Sequence, residues 1–71
     1  MIVYGWQVPD NVIEACESAM VDGFTAAEIE SVAILYGAPK NGTSMRIADR
    51  LIQKHKRAGH IWFDGKVWRH Q

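Results

Sequence analysis

The chain has 71 residues, 48% of them apolar, with eight Lys or Arg against eight Asp or Glu and one cysteine. That length allows one domain with a small core, the apolar content excludes a disordered chain, and a lone Cys16 excludes an internal disulfide. The zero net charge conceals a division: residues 1–39 carry six carboxylates and no Lys or Arg, net −6, while residues 40–71 carry eight Lys or Arg and two Asp, net +6.

A nearby polyanion feels the local field, screened over about 8–10 Å, rather than the molecular sum. It is drawn to the second half and repelled by the first. No apolar run has membrane-spanning length, and the first residues lack the basic flank of a secretory signal. With the cysteine count, these features predict a cytoplasmic protein.

In chain order, residues 2–6 alternate weakly, as a short N-terminal strand or arm over 1–8 would. Pro9 and Asp10 open a first helix, with Asn11 and Glu14 spaced as a capping box. Val12, Ile13, Cys16, Ala19 and Met20 form its apolar face, and Asp22-Gly23 ends it. Cys16 therefore reads as core.

The second helix has the clearest start signal. Thr25 stands at the N-cap and Glu28 at N3, while Phe24 and Ile29 occupy the positions of a hydrophobic staple. Its buried residues are predicted to be Ile29, Val32, Ala33 and Tyr36. Gly37 supplies a left-handed C′ residue and Pro39 forbids continuation. Residues 37–43 are a loop of turn formers.

Thr43 or Ser44 caps a third helix reaching about Arg57. At 100° per residue, Ala48, Leu51, His55 and Ala58 fall on one side, and Arg46, Arg50, Gln53 and Arg57 on the other, flanked by Lys54. Gly59 ends the helix. Residues 60–70 then read as a β-hairpin turning at Asp64-Gly65, a favoured type I′ pair. That turn pairs Phe63 with Lys66, Trp62 with Val67 and Ile61 with Trp68, putting Ile61 and Trp68 on one face.

The order of two helices, a loop, a basic helix, a glycine and a hairpin resembles a winged helix-turn-helix domain over residues 10–70. The resemblance is carried by Phe24 to Ile29, by Ser44 to Leu51, and by Arg57 to Ile61 leading into the Asp64-Gly65 wing. It implies a mainly α fold with a small antiparallel hairpin: three helices over 10–58 and a wing over 60–70. Two features depart from the simplest such domains: the long 37–43 loop and the acidity of the first half. Small prophage and bacterial regulators are similar in size, so transcription regulation is the implied process.

The resemblance implies double-stranded DNA as partner, with the third helix in the major groove. By position it implicates Ser44, Arg46, Asp49, Arg50 and Gln53 there. Arg suits guanine O6 and N7, Gln suits adenine N6 and N7, and Asp49 either pairs with Arg46 or accepts from cytosine N4. Thr43 and Ser44 offer hydroxyls and amides to a phosphate. Lys54, Arg57, Lys66 and Arg69 read as phosphate contacts. One such module has a small footprint, so useful specificity calls for a homodimer or a larger complex.

A second reading uses the acidic helical face as a protein-interaction adaptor. No Gly-rich phosphate loop, nucleophile–base pair or carboxylate dyad appears, so neither enzymatic activity nor a cofactor is expected. His55, His60 and His70 lack paired zinc spacing with Cys16, and no metal site is expected.

Overall fold

A computed structural model describes residues 1–71. The elements are β1 (Ile2–Val3), β2 (Trp6–Gln7), α1 (Asp10–Ser18), α2 (Ala26–Leu35), α3 (Thr43–Arg57), β3 (Ile61–Phe63) and β4 (Trp68–His70). The protein is mainly α, with an antiparallel two-stranded hairpin at each end. No helix is long and apolar enough to cross a membrane.

The N-terminal segment is a hairpin, not one strand. Ile2 pairs with Gln7 and Val3 with Trp6. Tyr4 and Gly5 turn the chain at φ of 50° and 78°. Positive φ at both central residues is the type I′ requirement, and this turn's twist matches that of the strands it joins. The hairpin does not pair with the wing. Val3 and Val8 enter the core beneath it.

Helix α1 starts without the Asn11–Glu14 box. The extended residue at its start is Pro9, which makes no side-chain cap, and Asn11 already lies within the helix. Asp10 in the first turn faces the positive end of the helix dipole. Helix α1 ends at Ser18, before Asp22-Gly23. Val12, Cys16 and Met20 are buried, while Ile13 and Ala19 pack partly against the core.

Thr25 caps α2 as the sequence predicts. The Glu28 amide donates to Thr25 Oγ1 at 3.3 Å, and the hydroxyl donates to Glu28 Oε1 at 3.1 Å. The carboxylate thus meets the hydroxyl instead of the Thr25 amide. Phe24 and Ile29 are both fully buried at this turn. At the other end, Gly37 adopts φ 108°, its amide donates to the Ile34 carbonyl, and the Ala38 amide donates to the Ala33 carbonyl. This is the Schellman pattern, which needs a left-handed residue. Tyr36, predicted to be buried, is half exposed because the chain turns away there.

Neither Thr43 nor Ser44 caps α3. Gly42 precedes the helix at φ 95°, and Thr43 Oγ1 instead donates to Asn41 Oδ1 at 2.6 Å. Thr43, Ser44, Ile47, Ala48, Leu51 and Ile52 are all buried. Ile47 and Ile52 widen the apolar side beyond the predicted set, whereas Ala58 is exposed. The 14 core residues come from both hairpins, all three helices and the 20–24 and 38 segments.

The wing register differs from expectation by two residues. Phe63 pairs with Trp68, Trp62 with Arg69 and Ile61 with His70. Asp64 is the cause. Its Oδ1 accepts from the amides of Lys66 and Val67 at 2.9 Å each, and its own amide donates to the Val67 carbonyl. This side-chain-organised loop spans 64–67, and only Gly65 has positive φ within it. A two-residue shift preserves facing, so Ile61 and Trp68 still share the inward face. Strand β4 also pairs with the segment before α2: the Trp68 amide donates to the Phe24 carbonyl and the Gly23 amide to the Trp68 carbonyl, each at 2.8 Å. Three helices with this C-terminal hairpin are compatible with a winged-helix topology.

Candidate nucleic-acid interface

Burial of one side of α3 turns the opposite side outward. Arg46, Asp49, Arg50, Gln53, Lys54 and Arg57 together line one shallow concavity with no apolar residue. The sequence-predicted stripe is thus a single surface. The structure also shows which of its charges are already engaged.

Arg46 and Asp49 are paired, with Nη1 to Oδ2 at 3.5 Å, and both side chains are more than half exposed. Arg50 Nη1 donates to the Ile2 carbonyl at 2.8 Å, so the N-terminal hairpin holds its guanidinium. Lys54 Nζ lies 3.6 Å from Glu17 Oε2 of α1. Arg57 is exposed and makes neither an ion pair nor a side-chain hydrogen bond. Gln53 is half-buried between them.

Thr43 and Ser44 do not belong to this surface. They are 2% and 3% exposed, so their hydroxyls face the interior and offer nothing to a phosphate. The start of α3 is tied to the loop after α2 by the Ser44 amide, which donates to the Pro39 carbonyl at 3.3 Å.

On the wing, Lys66 is exposed and free of carboxylates. Arg69 is not free. Its Nε donates to Asp64 Oδ2 at 3.0 Å and its Nη1 to Asp22 Oδ2 at 3.3 Å. Asp22 Oδ1 also accepts the His70 amide at 3.0 Å. Arg69 therefore ties the wing to the turn after α1, and two carboxylates compete with a phosphate for its guanidinium.

These bonds set the local titration. The Asp64 carboxyl is lowered to about 2, chiefly by the Val67 and Lys66 amides and then by Arg69. Asp22 is lowered first by the His70 amide and then by the Arg69 side chain. Both carboxylates hold Arg69 charged and push its value up. Burial pushes the Cys16 thiol up, helped by Glu17, which leaves it an unreactive core group.

A carboxyl whose folded value lies below its unfolded value supports the folded state only while ionised. Asp64 therefore stabilises the wing fully above about pH 4 and loses that contribution as pH falls toward about 2. We expect the Asp64 carboxyl carbon to titrate by NMR near 2, with wing amide shifts moving over the same interval. A midpoint near 4 would refute this account of the wing loop.

Two neighbours of the basic surface escape a sequence reading. Tyr4 and Met45 are 73% and 64% exposed and share a shallow site with Gly42, Arg46 and Asp49. The N-terminal hairpin thus lies beside the first turn of α3, which periodicity within the helix does not reveal. Searches against protein-family models, curated proteins and solved structures found no match.

Proposed function

We propose that this protein binds double-stranded DNA, with the exposed face of α3 in the major groove and the wing tip on the adjacent backbone. The observation that carries the reading is the single surface made by Arg46, Arg50, Gln53, Lys54 and Arg57 with no apolar side chain among them. A helix fits the width of the major groove, and Arg and Gln are the side chains with bidentate matches to base edges there. Asp49 either keeps Arg46 extended or meets cytosine N4. Lys66 is the wing's free cation for a phosphate. Regulation of transcription is the process such a module would serve, with a second copy or a larger complex extending its short footprint.

The test is a titration of the chain with fluorescent duplex DNA at several salt concentrations. Neutralising Z phosphates gives a slope of log K on log salt of about −0.9Z. Four or five free or freeable cations therefore predict a steep fall between about 50 and 200 mM. No binding at the lowest salt by the folded chain overturns the proposal.

One observation favours a second reading. Leu35 is 79% exposed and Tyr36 49% exposed, and they border a shallow groove shared with Glu14, Ala15, Ala19 and Val32 on the acidic half. An exposed apolar strip beside Glu14, on the half of the chain that carries net −6, suits a basic protein partner. Absence of DNA binding transfers the function to this adaptor surface.

A further inference from the structure

All three histidines of the chain converge on one place. His55 from α3, His60 from the glycine turn after it, and His70 from β4 line a single cavity of about 360 Å³ with Glu17 and Gln71. Sequence intervals of five and ten residues give no hint of this. The Schellman turn at Gly59 creates the first approach: the His60 amide donates to the His55 carbonyl at 3.0 Å, folding His60 back over the helix end. His55 Nδ1 and His60 Nδ1 then stand 3.3 Å apart. Behind them, His55 Nε2 lies 2.7 Å from Glu17 Oε2.

These distances constrain the chemistry. An ionised carboxylate only accepts, so Glu17 fixes the proton of a neutral His55 on Nε2 and leaves a lone pair on Nδ1. That lone pair meets the Nδ1 of a second imidazole. Two nitrogens each about 2.05 Å from one zinc ion, at a near-tetrahedral angle, stand roughly 3.3 Å apart. The observed separation fits two ligands of one ion as well as it fits an N–H···N hydrogen bond between the rings. A carboxylate on the far nitrogen of a ligating histidine is the usual second partner at such sites, where it orients the ring and raises its basicity.

We propose that His55 and His60 form a two-nitrogen site for a divalent transition-metal ion of the zinc class, with Glu17 positioning His55. No group of three or more His, Cys, Asp or Glu side chains is placed to hold a metal ion, so the protein offers two ligands at most. Solvent therefore completes the coordination, and affinity lies below that of a four-ligand structural site. His70 Nε2 is engaged with the Met20 carbonyl, so His70 lines the cavity without joining the pair. The site joins α1 to the C-terminal end of α3, and it does not depend on the DNA-binding proposal.

The experiment is calorimetric titration of the untagged full chain with zinc chloride, with magnesium as control, alongside NMR of the imidazole carbons. One equivalent of zinc should bind and shift the rings of His55 and His60, and magnesium should not. His60→Ala alters an exposed side chain, so circular dichroism should remain unchanged while zinc affinity falls at least tenfold. Glu17→Gln should weaken binding about ten- to a hundredfold, and His70→Ala should leave it within about twofold. Absence of binding at about 1 mM zinc by the folded chain overturns the site. So does undiminished affinity in His60→Ala, which would leave the two rings sharing only a proton.

Discussion

Phe24→Ala should destabilise the protein by about 3–5 kcal/mol, the usual range for removing a fully buried phenyl ring. Phe24 is 0% exposed. Its ring stacks against Trp68 with centroids 6.4 Å apart, and its carbonyl accepts the Trp68 amide. One residue thus precedes the α2 cap, extends the wing by a third short pairing and fills the space between wing and helices. A domain of this size has a stability of only about 4–10 kcal/mol. The variant should therefore be largely unfolded on mild warming, seen as an early urea midpoint by tryptophan fluorescence. Phe24→Leu keeps most of the volume and should cost less than half as much. A wild-type urea midpoint in Phe24→Ala would mean that the wing docks independently of this ring.

The contrast between the two hairpins shows what local sequence specifies. Asp64-Gly65 is a strong type I′ signal, yet the Asp64 carboxylate folds back on the Lys66 and Val67 amides and makes a longer loop. The type I′ geometry occurs instead at Tyr4-Gly5, where a bulky residue at positive φ is an unlikely choice by propensity. Buried Val3 and Val8 on either side, and the Arg50 bond to the Ile2 carbonyl, hold that turn in place. The first loop departs from type I′ because one side chain offers the backbone a competing partner. The second was hidden because its support lies 48 residues away.

The same division runs through the candidate interface. Helix ends governed by adjacent residues, such as the Thr25 cap and the Gly37 turn, were legible, and so was the basic side of α3. The partners that decide which charges are free were not. Glu17 meets Lys54 and His55 across 37 and 38 residues, and Asp22 meets Arg69 across 47. Helical periodicity places a side chain on a face but is silent about the carboxylate on a neighbouring element. It is equally silent about Thr43 and Ser44, polar residues buried because α3 packs from its first turn.

On the DNA-binding proposal, these partners rank the cations, and Arg46→Ala with Arg57→Ala should produce the largest loss of affinity. The two residues are 11 apart, about 16 Å along the helix, so together they bracket the exposed surface. Arg57 makes no ion pair, and Arg46 is held only by an exposed pairing with Asp49, which is worth little and is easily exchanged. Arg69 would have to surrender both Asp64 and Asp22 to reach a phosphate. Each lost arginine contact of base-reading quality is worth about 1–3 kcal/mol, so the double variant should bind at least about thirtyfold more weakly. If the contacts are to phosphates instead, the salt slope should fall by about 1.8. Both substitutions lie on the solvent side of α3 and should leave the urea midpoint nearly unchanged. Arg69→Gln should behave in the opposite way, loosening the wing while affinity changes little. Were Arg69→Gln to abolish binding and the double variant to retain it, the DNA surface would lie along the wing and the turn at Asp22, and α3 would not be the reading helix.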